Sequence, residues 1–198
     1  YVFSKADSLN KPAVVNLSLG THIGPHDGSS LFDYYLDALI TNSRIVVGAA
    51  GNEGQDSLHI QKKFTSTDTV MYAFISFKNS TLANSGNSIL DIWGEKNNDF
   101  KVSINLVNLS KGTYEDYTPY YSASTSNSSI NWTLLDSDNI PDSAFINGST
   151  GINGLNGKPN VIFDIDHGQS DDDQWIMLEI IAKSGKIDAW LNSGIFTN

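Results

Sequence analysis

Most of the chain, from about residue 57 to its end, consists of short runs in which apolar and polar residues alternate. In the clearest run, apolar residues occupy every second position from Phe100 to Leu106, with Lys101, Ser103 and Asn105 between them. A period of two is typical of a strand with one buried face. Similar runs occur at Val70–Phe77, Ile89–Trp93, Ile130–Leu135, Val161–Ile165, Trp175–Ala182 and Ile187–Leu191. Short strands without a helical pattern between them predict an antiparallel β-sandwich over residues 57–198, most simply a jelly roll.

Two stretches of this region predict loops. Residues 146–160 contain three Asn-Gly pairs, which are typical of tight turns. The stretch Asp164–Asp173 contains His167, Ser170 and several aspartates, and we expect a solvated loop between two strands. A Ser/His/Asp triad is disfavoured because no nucleophile elbow surrounds Ser170. A calcium site is disfavoured because the EF-hand pattern of ligands is missing.

The aromatic residues of this region have two interpretations. The simpler one places them in the core of the sandwich. The alternative is a carbohydrate-binding platform, which would require the four tryptophans to be exposed and coplanar. The residues concerned are Phe74, Trp93, Phe100, Trp132, Phe163, Trp175 and Trp190.

The first quarter of the chain has a different pattern. Ala13–Leu19 and Ile45–Ala50 are short apolar runs that predict buried strands. Between them, from Leu31 to Ile40, apolar residues recur at spacings of three and four, which predicts an amphipathic helix with Ser30 as its N-cap and Asp33 in its first turn. Strand, helix and strand in this order predict a βαβ unit with two parallel strands. We therefore assign the chain to the α+β class by content.

Charge and composition exclude several classes of partner. Lys and Arg total 12 against 22 Asp and Glu, so the formal net charge is −10. A nucleic-acid backbone or an anionic membrane would be repelled, and we predict no nucleic-acid partner. No apolar run approaches the roughly 20 residues needed to cross a bilayer, and we predict no membrane insertion. Because the chain has no cysteine, disulfides and thiolate chemistry are excluded.

Two motifs resemble a known family. Val14–Gly20 (VVNLSLG), followed by a helix and then by Ile45–Gly54 (IVVGAAGNEG), resembles the middle of subtilisin-like serine proteases, family S8, in which the same segments occur in this order. The resemblance implies a βαβ fragment of a parallel subtilase sheet over residues 1–56. Residues 57–198 would then be an inserted jelly-roll-like domain, with 192–198 returning towards the catalytic domain. Thr21–Ser29 and the inserted region resemble, more loosely, clostridial spore-germination subtilases.

The resemblance also implies roles for individual residues. Asn52 matches the oxyanion-hole asparagine, whose side-chain amide stabilises the tetrahedral intermediate without carrying charge. Ser18-Leu19-Gly20 matches the segment that pairs with an extended substrate. Ala49-Ala50-Gly51 matches the floor of the pocket for the substrate side chain next to the scissile bond. Taken alone, Gly51–Gly54 is equally typical of a simple turn.

The sequence motifs that surround the three catalytic-triad residues in this family are missing from this sequence. No DTG or DSG, HGTHVAG or GTSMA context occurs. Gly20–Gly24 (GTHIG) resembles part of the histidine motif, but it lacks the leading His and follows NLSLG directly. We therefore expect the triad Asp, His and Ser to lie outside this chain, and the chain alone to be inactive. His22, His26 and Asp27 could form a metal cluster by composition, but the Gly24-Pro25 pair favours a shaped loop, and we predict no metal.

These observations predict a fragment of a subtilisin-like serine endopeptidase. Its partners would be a polypeptide substrate and the remainder of the parent catalytic domain, with no cofactor. A secreted, cell-envelope or spore-associated place in a bacterium is favoured. Two alternatives stay open: a β-sandwich that binds a glycan or a protein, and a pseudoprotease with a broken triad that acts by interaction alone.

Overall fold

The computed structural model describes residues 1–77, 85–124, 128–135, 144–168 and 173–197. The chain divides into two compact units, Tyr1–Gln55 and Asp56–Asn198. No helix among the described residues is long and apolar enough to cross a membrane.

The first unit contains a single parallel strand pair. Its elements are α1 (Val2–Ser8), β1 (Ala13–Leu17), α2 (Leu31–Leu39) and β2 (Arg44–Gly48). β1 and β2 are parallel, with Ala13 opposite Arg44. Ser30 is the N-cap of α2, as predicted: the backbone N–H of Asp33 donates to Ser30 Oγ at 3.1 Å, and that of Ser30 donates to Asp33 Oδ2 at 3.1 Å. This reciprocal capping satisfies two backbone donors that the helix itself leaves free.

The strands of the first unit are not buried, so that prediction is wrong. Val14, Ile45 and Val47 are exposed, Val14 by 64%. Phe3 is the only buried residue among residues 1–55, all of which the structure describes, and the Arg44 guanidinium lies 5.9 Å from its ring centroid. Parallel strands need helices or further layers on both faces to become buried, and two strands with one crossover helix cannot provide them.

The second unit contains twelve strands within its described residues. In chain order they are β3 (His59–Phe64), β4 (Val70–Ser76), β5 (Gly86–Gly94), β6 (Phe100–Asn108), β7 (Thr113–Tyr117), β8 (Tyr121–Ser122), β9 (Ser128–Leu134), β10 (Ala144–Ile152), β11 (Pro159–His167), β12 (Gln174–Ala182), β13 (Gly185–Leu191) and β14 (Ile195–Thr197).

These strands form two antiparallel sheets. The first has the order β3-β13-β5-β11-β10-β9, and the second has the order β14-β4-β12-β6-β7, with β8 also paired to β6. β14 pairs with β4, which makes residues 195–197 part of the second sheet. Alternate residues of both sheets fill one hydrophobic core, and fully buried members from the two sheets include Ile92, Phe163, Ile104, Leu106 and Ile176.

The assignment to the α+β class is wrong. Strand makes up 53% of the described residues and helix only 9%, so the fold is β-rich and mostly antiparallel. Among the described residues, parallel pairing is limited to β1 and β2. The α+β assignment treated the short helical pattern at residues 31–40 as equal in importance to the many strands predicted over residues 57–198. A nine-residue helix cannot define the class of a chain whose core lies between two antiparallel sheets.

Parts of both predicted loops are strand. Asn147 and Gly148 lie within β10, with Gly148 opposite Phe163. The turn begins later, at Asn153, whose backbone N–H donates to Lys158 O at 2.9 Å. In the acidic stretch, Asp164 to His167 belong to β11, and His167 is buried. Ser170, Asp171 and Asp172 lie outside the described residues.

The tryptophans do not form one platform. Trp93, Trp132 and Trp190 belong to strands of the first sheet, whereas Trp175 belongs to the second. Trp93 is buried and Trp175 and Trp190 are half-buried, but Trp132 is 39% exposed. The prediction of an aromatic core therefore holds for Trp93, as for Phe100 and Phe163, and fails for Trp132.

Candidate functional site

The carboxyl ends of β1 and β2 lie side by side. The parallel register places Leu17 opposite Gly48, and the backbone N–H of Ala49 donates to Leu17 O at 3.1 Å. The two predicted substrate segments, Ser18–Gly20 and Ala49–Gly51, leave the sheet from these ends and are exposed. Ligand sites of parallel sheets form at this edge because neighbouring strands deliver their following loops to one place.

The turn after β2 is held by Glu53. Gly51 has a φ of +82°, and the backbone N–H of Asn52 donates to Glu53 Oε2 at 2.8 Å. A Cβ atom at Gly51 would lie 2.8 Å from the same oxygen, which is the end of a flexible side chain, so it is mainly the backbone angle that favours glycine. The Asn52 side chain is exposed, and its amide has no hydrogen-bond partner among the described residues of this unit. It is therefore free to donate.

The loop after β1 reaches the same turn. His22 Nε2 lies 3.8 Å from Glu53 Oε2. His26 Nε2 lies 3.0 Å from His22 O, and Thr21 Oγ1 accepts from the backbone N–H of Ile23 at 3.0 Å. Glu53 thus connects the loop that follows Leu17 with the turn that carries Asn52.

The His22, His26 and Asp27 side chains do not converge on one point. Asp27 Oδ1 accepts from both the backbone N–H and the hydroxyl of Ser29, an arrangement typical of an Asx turn. Within the described ranges, no group of three or more His, Cys, Asp or Glu side chains is placed to hold a metal ion.

Sequence reasoning missed Glu53. It directly follows Asn52, and the short turn that holds both residues is flanked by Gly51 and Gly54. An acidic side chain in such a turn can accept backbone N–H donors, and this signal could have found it.

A second polar cluster lies on the first sheet of the second unit. His59 Nε2 lies 2.9 Å from Asp188 Oδ1, which also accepts from Gln61 Nε2 at 2.6 Å. Lys186 Nζ lies 3.2 Å from Asp188 Oδ2, and the His59 ring stacks on Trp190 with centroids 3.8 Å apart. Burial acts to raise the pKa of Asp188, but these hydrogen bonds outweigh burial and hold its pKa below the ordinary value.

The comparison with solved structures finds chains that this chain resembles. The chain resembles the structure of the Clostridium perfringens CspB protease with a TM-score of 0.69 and 22% identity. The alignment covers 98% of this chain and 39% of that one. This chain shares its fold with part of a protease. No protein-family model and no curated protein sequence matches it.

The likeness concerns the fold, because an identity of 22% is too low to transfer a site. It spans both units of the chain, since the alignment leaves out only 2% of the residues. The chain corresponds to about two fifths of the length of that protease.

Proposed function

We propose that this chain is a segment of a subtilisin-like serine endopeptidase of family S8, carrying the oxyanion-hole donor and the substrate-cleft segments. The observation that carries the proposal is the parallel register of Leu17 and Gly48, which delivers Ser18–Gly20 and Ala49–Asn52 to one edge of a sheet. The fold likeness to a clostridial protease supports it. The triad Asp, His and Ser would be supplied by the rest of the parent enzyme.

The proposed mechanism assigns this chain a supporting part in acyl transfer. An extended substrate would lie along Ser18–Gly20 and form backbone hydrogen bonds there, as an added strand does. The small residues Ala49–Gly51 would leave room for the substrate side chain next to the scissile bond. When the parent's serine attacks the carbonyl, Asn52 Nδ2 would donate to the oxyanion. An amide donor suits this step because it stabilises developing negative charge and needs no proton transfer.

The decisive experiment replaces Asn52 in the full-length parent enzyme. We expect Asn52→Ala to lower kcat by about a hundred- to a thousand-fold, a magnitude established for this donor in subtilisin, while KM stays nearly unchanged. The matched control is Asn42→Ala, at an exposed turn after α2, which should leave both constants unchanged. Full turnover in Asn52→Ala would remove this residue from its role.

A second assay tests the fragment proposal. The isolated 198-residue chain should not hydrolyse a chromogenic peptide. Hydrolysis that a serine-directed inhibitor blocks would contradict the placement of the triad outside this chain. A parent enzyme without peptidase activity and with a broken triad would contradict the endopeptidase proposal and favour a pseudoprotease.

A further inference from the structure

The outer face of the second sheet carries a pocket that the proposed protease function does not use. β12, β4 and β6 are neighbours there, with Glu179 opposite both Tyr72 and Ser103. On the next strand pair, Asn105 lies opposite Tyr117. The pocket has a volume of about 240 Å³ and is lined by Ser103, Asn105, Tyr114, Tyr117, Tyr120 and Glu179.

Buried polar side chains that are hydrogen-bonded within the protein form the floor of this tyrosine pocket. Ser103 and Asn105 are buried although they alternate with the core residues of β6. Ser103 Oγ donates to Thr118 O at 2.9 Å, and Asn105 Nδ2 donates to Met177 O at 3.3 Å. The Ser103 hydroxyl and one of the two Asn105 amide hydrogens are already engaged within the protein, so the floor offers few donors for the hydroxyl groups of a sugar.

The walls of the tyrosine pocket are exposed aromatic rings. Tyr114 and Tyr117 are 57% and 62% exposed, and Tyr120 is 48% exposed. The faces of aromatic rings carry negative electrostatic potential, which attracts organic cations. Three exposed rings around one pocket therefore favour a cation over an anion.

The charge of the pocket favours the same ligand. Glu179 is the only ionisable carboxyl among the lining residues, and none of these residues is basic. Tyr72 lies opposite Glu179 in the pairing of β4 and β12, and Tyr120 lines the pocket together with Glu179. Burial, followed by the neighbouring carboxylate, raises the pKa of both phenols, that of Tyr120 to about 12. The phenols thus stay neutral at physiological pH and add no charge of their own to the pocket.

We infer that the tyrosine pocket binds an organic cation, an ammonium or guanidinium group that contacts the tyrosine rings and pairs with Glu179. A volume of about 240 Å³ lies below the roughly 300–1,000 Å³ of pockets for drug-sized ligands, so it fits a single headgroup. The cation could be a lysine or arginine side chain of a polypeptide or a free quaternary ammonium compound. This inference is independent of the site proposed in the first unit.

The test is an NMR titration of the 198-residue chain with single cationic groups. The probes are Nα-acetylarginine amide, Nα-acetyllysine amide and choline, and the neutral controls are Nα-acetylcitrulline amide and methyl glucoside. We expect at least one cation, and neither control, to shift the Tyr114, Tyr117 and Tyr120 resonances saturably. Tighter binding of an amino-acid amide supports a polypeptide source, and tighter binding of choline supports a free ligand.

Variants distinguish binding in the tyrosine pocket from general attraction of cations to the negatively charged chain. Glu179→Gln should weaken binding about tenfold or more, since a bond between charged groups is lost. Tyr114→Leu should weaken it roughly two- to fivefold. The matched controls, Asp166→Asn and Phe145→Leu at exposed positions of the first sheet, should leave it unchanged.

Three results would overturn the inference. One is the absence of saturable shifts with every cation. Another is binding of citrulline amide or methyl glucoside as tightly as the best cation. The third is a loss in Asp166→Asn as large as that in Glu179→Gln, because attraction to the net negative chain would then explain the binding.

Discussion

Leu17 lies opposite Gly48 in the parallel pairing of β1 and β2, and its carbonyl oxygen accepts the backbone N–H of Ala49 at 3.1 Å. This single relationship fixes where both loops of the candidate site begin. A shift of the register by one residue would turn the side chains of one strand to the opposite face and separate Ser18 from Ala49. The points at which both loops leave the sheet therefore depend on this strand pair.

Gly51 tests the conformation of the turn that carries Asn52. Gly51→Ala should cost about 1–2 kcal/mol in local stability, because alanine disfavours a φ of +82° and its Cβ would approach Glu53 Oε2. Amide hydrogen exchange at Asn52 should become faster. Gly54→Ala is the control, since its Cβ would have no atom within 4 Å. Equal exchange in both variants would show that the backbone conformation at Gly51 does not hold the turn.

The strands of the second unit could be predicted from sequence where the period of two was strong. All seven predicted runs are strands, although most of them begin earlier or end later than predicted. β10 was missed because its Asn147-Gly148 pair indicated a turn. β3 was missed because Lys62 and Lys63 interrupt its alternation, and β7, β8 and β14 are too short or too polar to give a pattern.

The candidate sites differ in how far sequence could reveal them. Asn52 and its neighbours lie within one continuous motif, so a resemblance could single them out. The tyrosine pocket could not be found in this way, because Tyr114 and Glu179 are far apart in the chain and meet only through the pairing of β4, β12, β6 and β7. Burial in the first unit was mispredicted for a related reason. An apolar run indicates which side chains favour burial, but only the structure shows whether other elements pack against them.

A substitution at Gly148 tests whether this residue lies in strand β10, as observed, and not in the predicted turn. Its Cβ would lie 2.0 Å from Ile162 O on β11, so Gly148→Ala forces two paired backbones apart. We expect a loss of about 1–3 kcal/mol in the free energy of unfolding, measured by urea denaturation. Gly154→Ala, in the nearby turn where a Cβ meets no atom within 4 Å, should change it by less than about 0.5 kcal/mol. Similar losses in the two variants would argue against the close approach of β10 and β11.

A substitution at Trp93 tests how much a buried N–H group without a hydrogen-bond partner lowers the stability of the fold. Its Nε1 is buried without a hydrogen-bond partner among the described residues, which is unfavourable by about 1–3 kcal/mol. Trp93→Phe removes this donor, and the gain should offset much of the lost packing. Trp190→Phe is the comparison, because it reduces the stacking on His59 without removing a donor of this kind. In urea denaturation, Trp93→Phe should be the less destabilised of the two, and the reverse order would mean that the indole N–H is satisfied in solution.

Asp188 gives the second unit a predictable dependence on pH. The hydrogen bonds from Gln61, His59 and Lys186 hold its pKa below the value of about 3.9 that it has in the unfolded chain. A carboxyl with a lowered folded pKa contributes stability that is fully present above the unfolded pKa and is lost as the pH falls through the folded pKa. Asp188→Asn should therefore destabilise the chain near neutral pH, and the difference from the wild type should shrink as the pH falls below the unfolded pKa and through the folded one.

The measurement is urea denaturation of wild type and Asp188→Asn from neutral to acidic pH, with Asp166→Asn, an exposed aspartate on β11, as the control. The wild-type curve should converge with that of Asp188→Asn at low pH, whereas the difference between wild type and Asp166→Asn should stay small throughout. A difference for Asp188→Asn that is constant across this range would mean that the loss comes from packing and not from the charged form of the carboxyl.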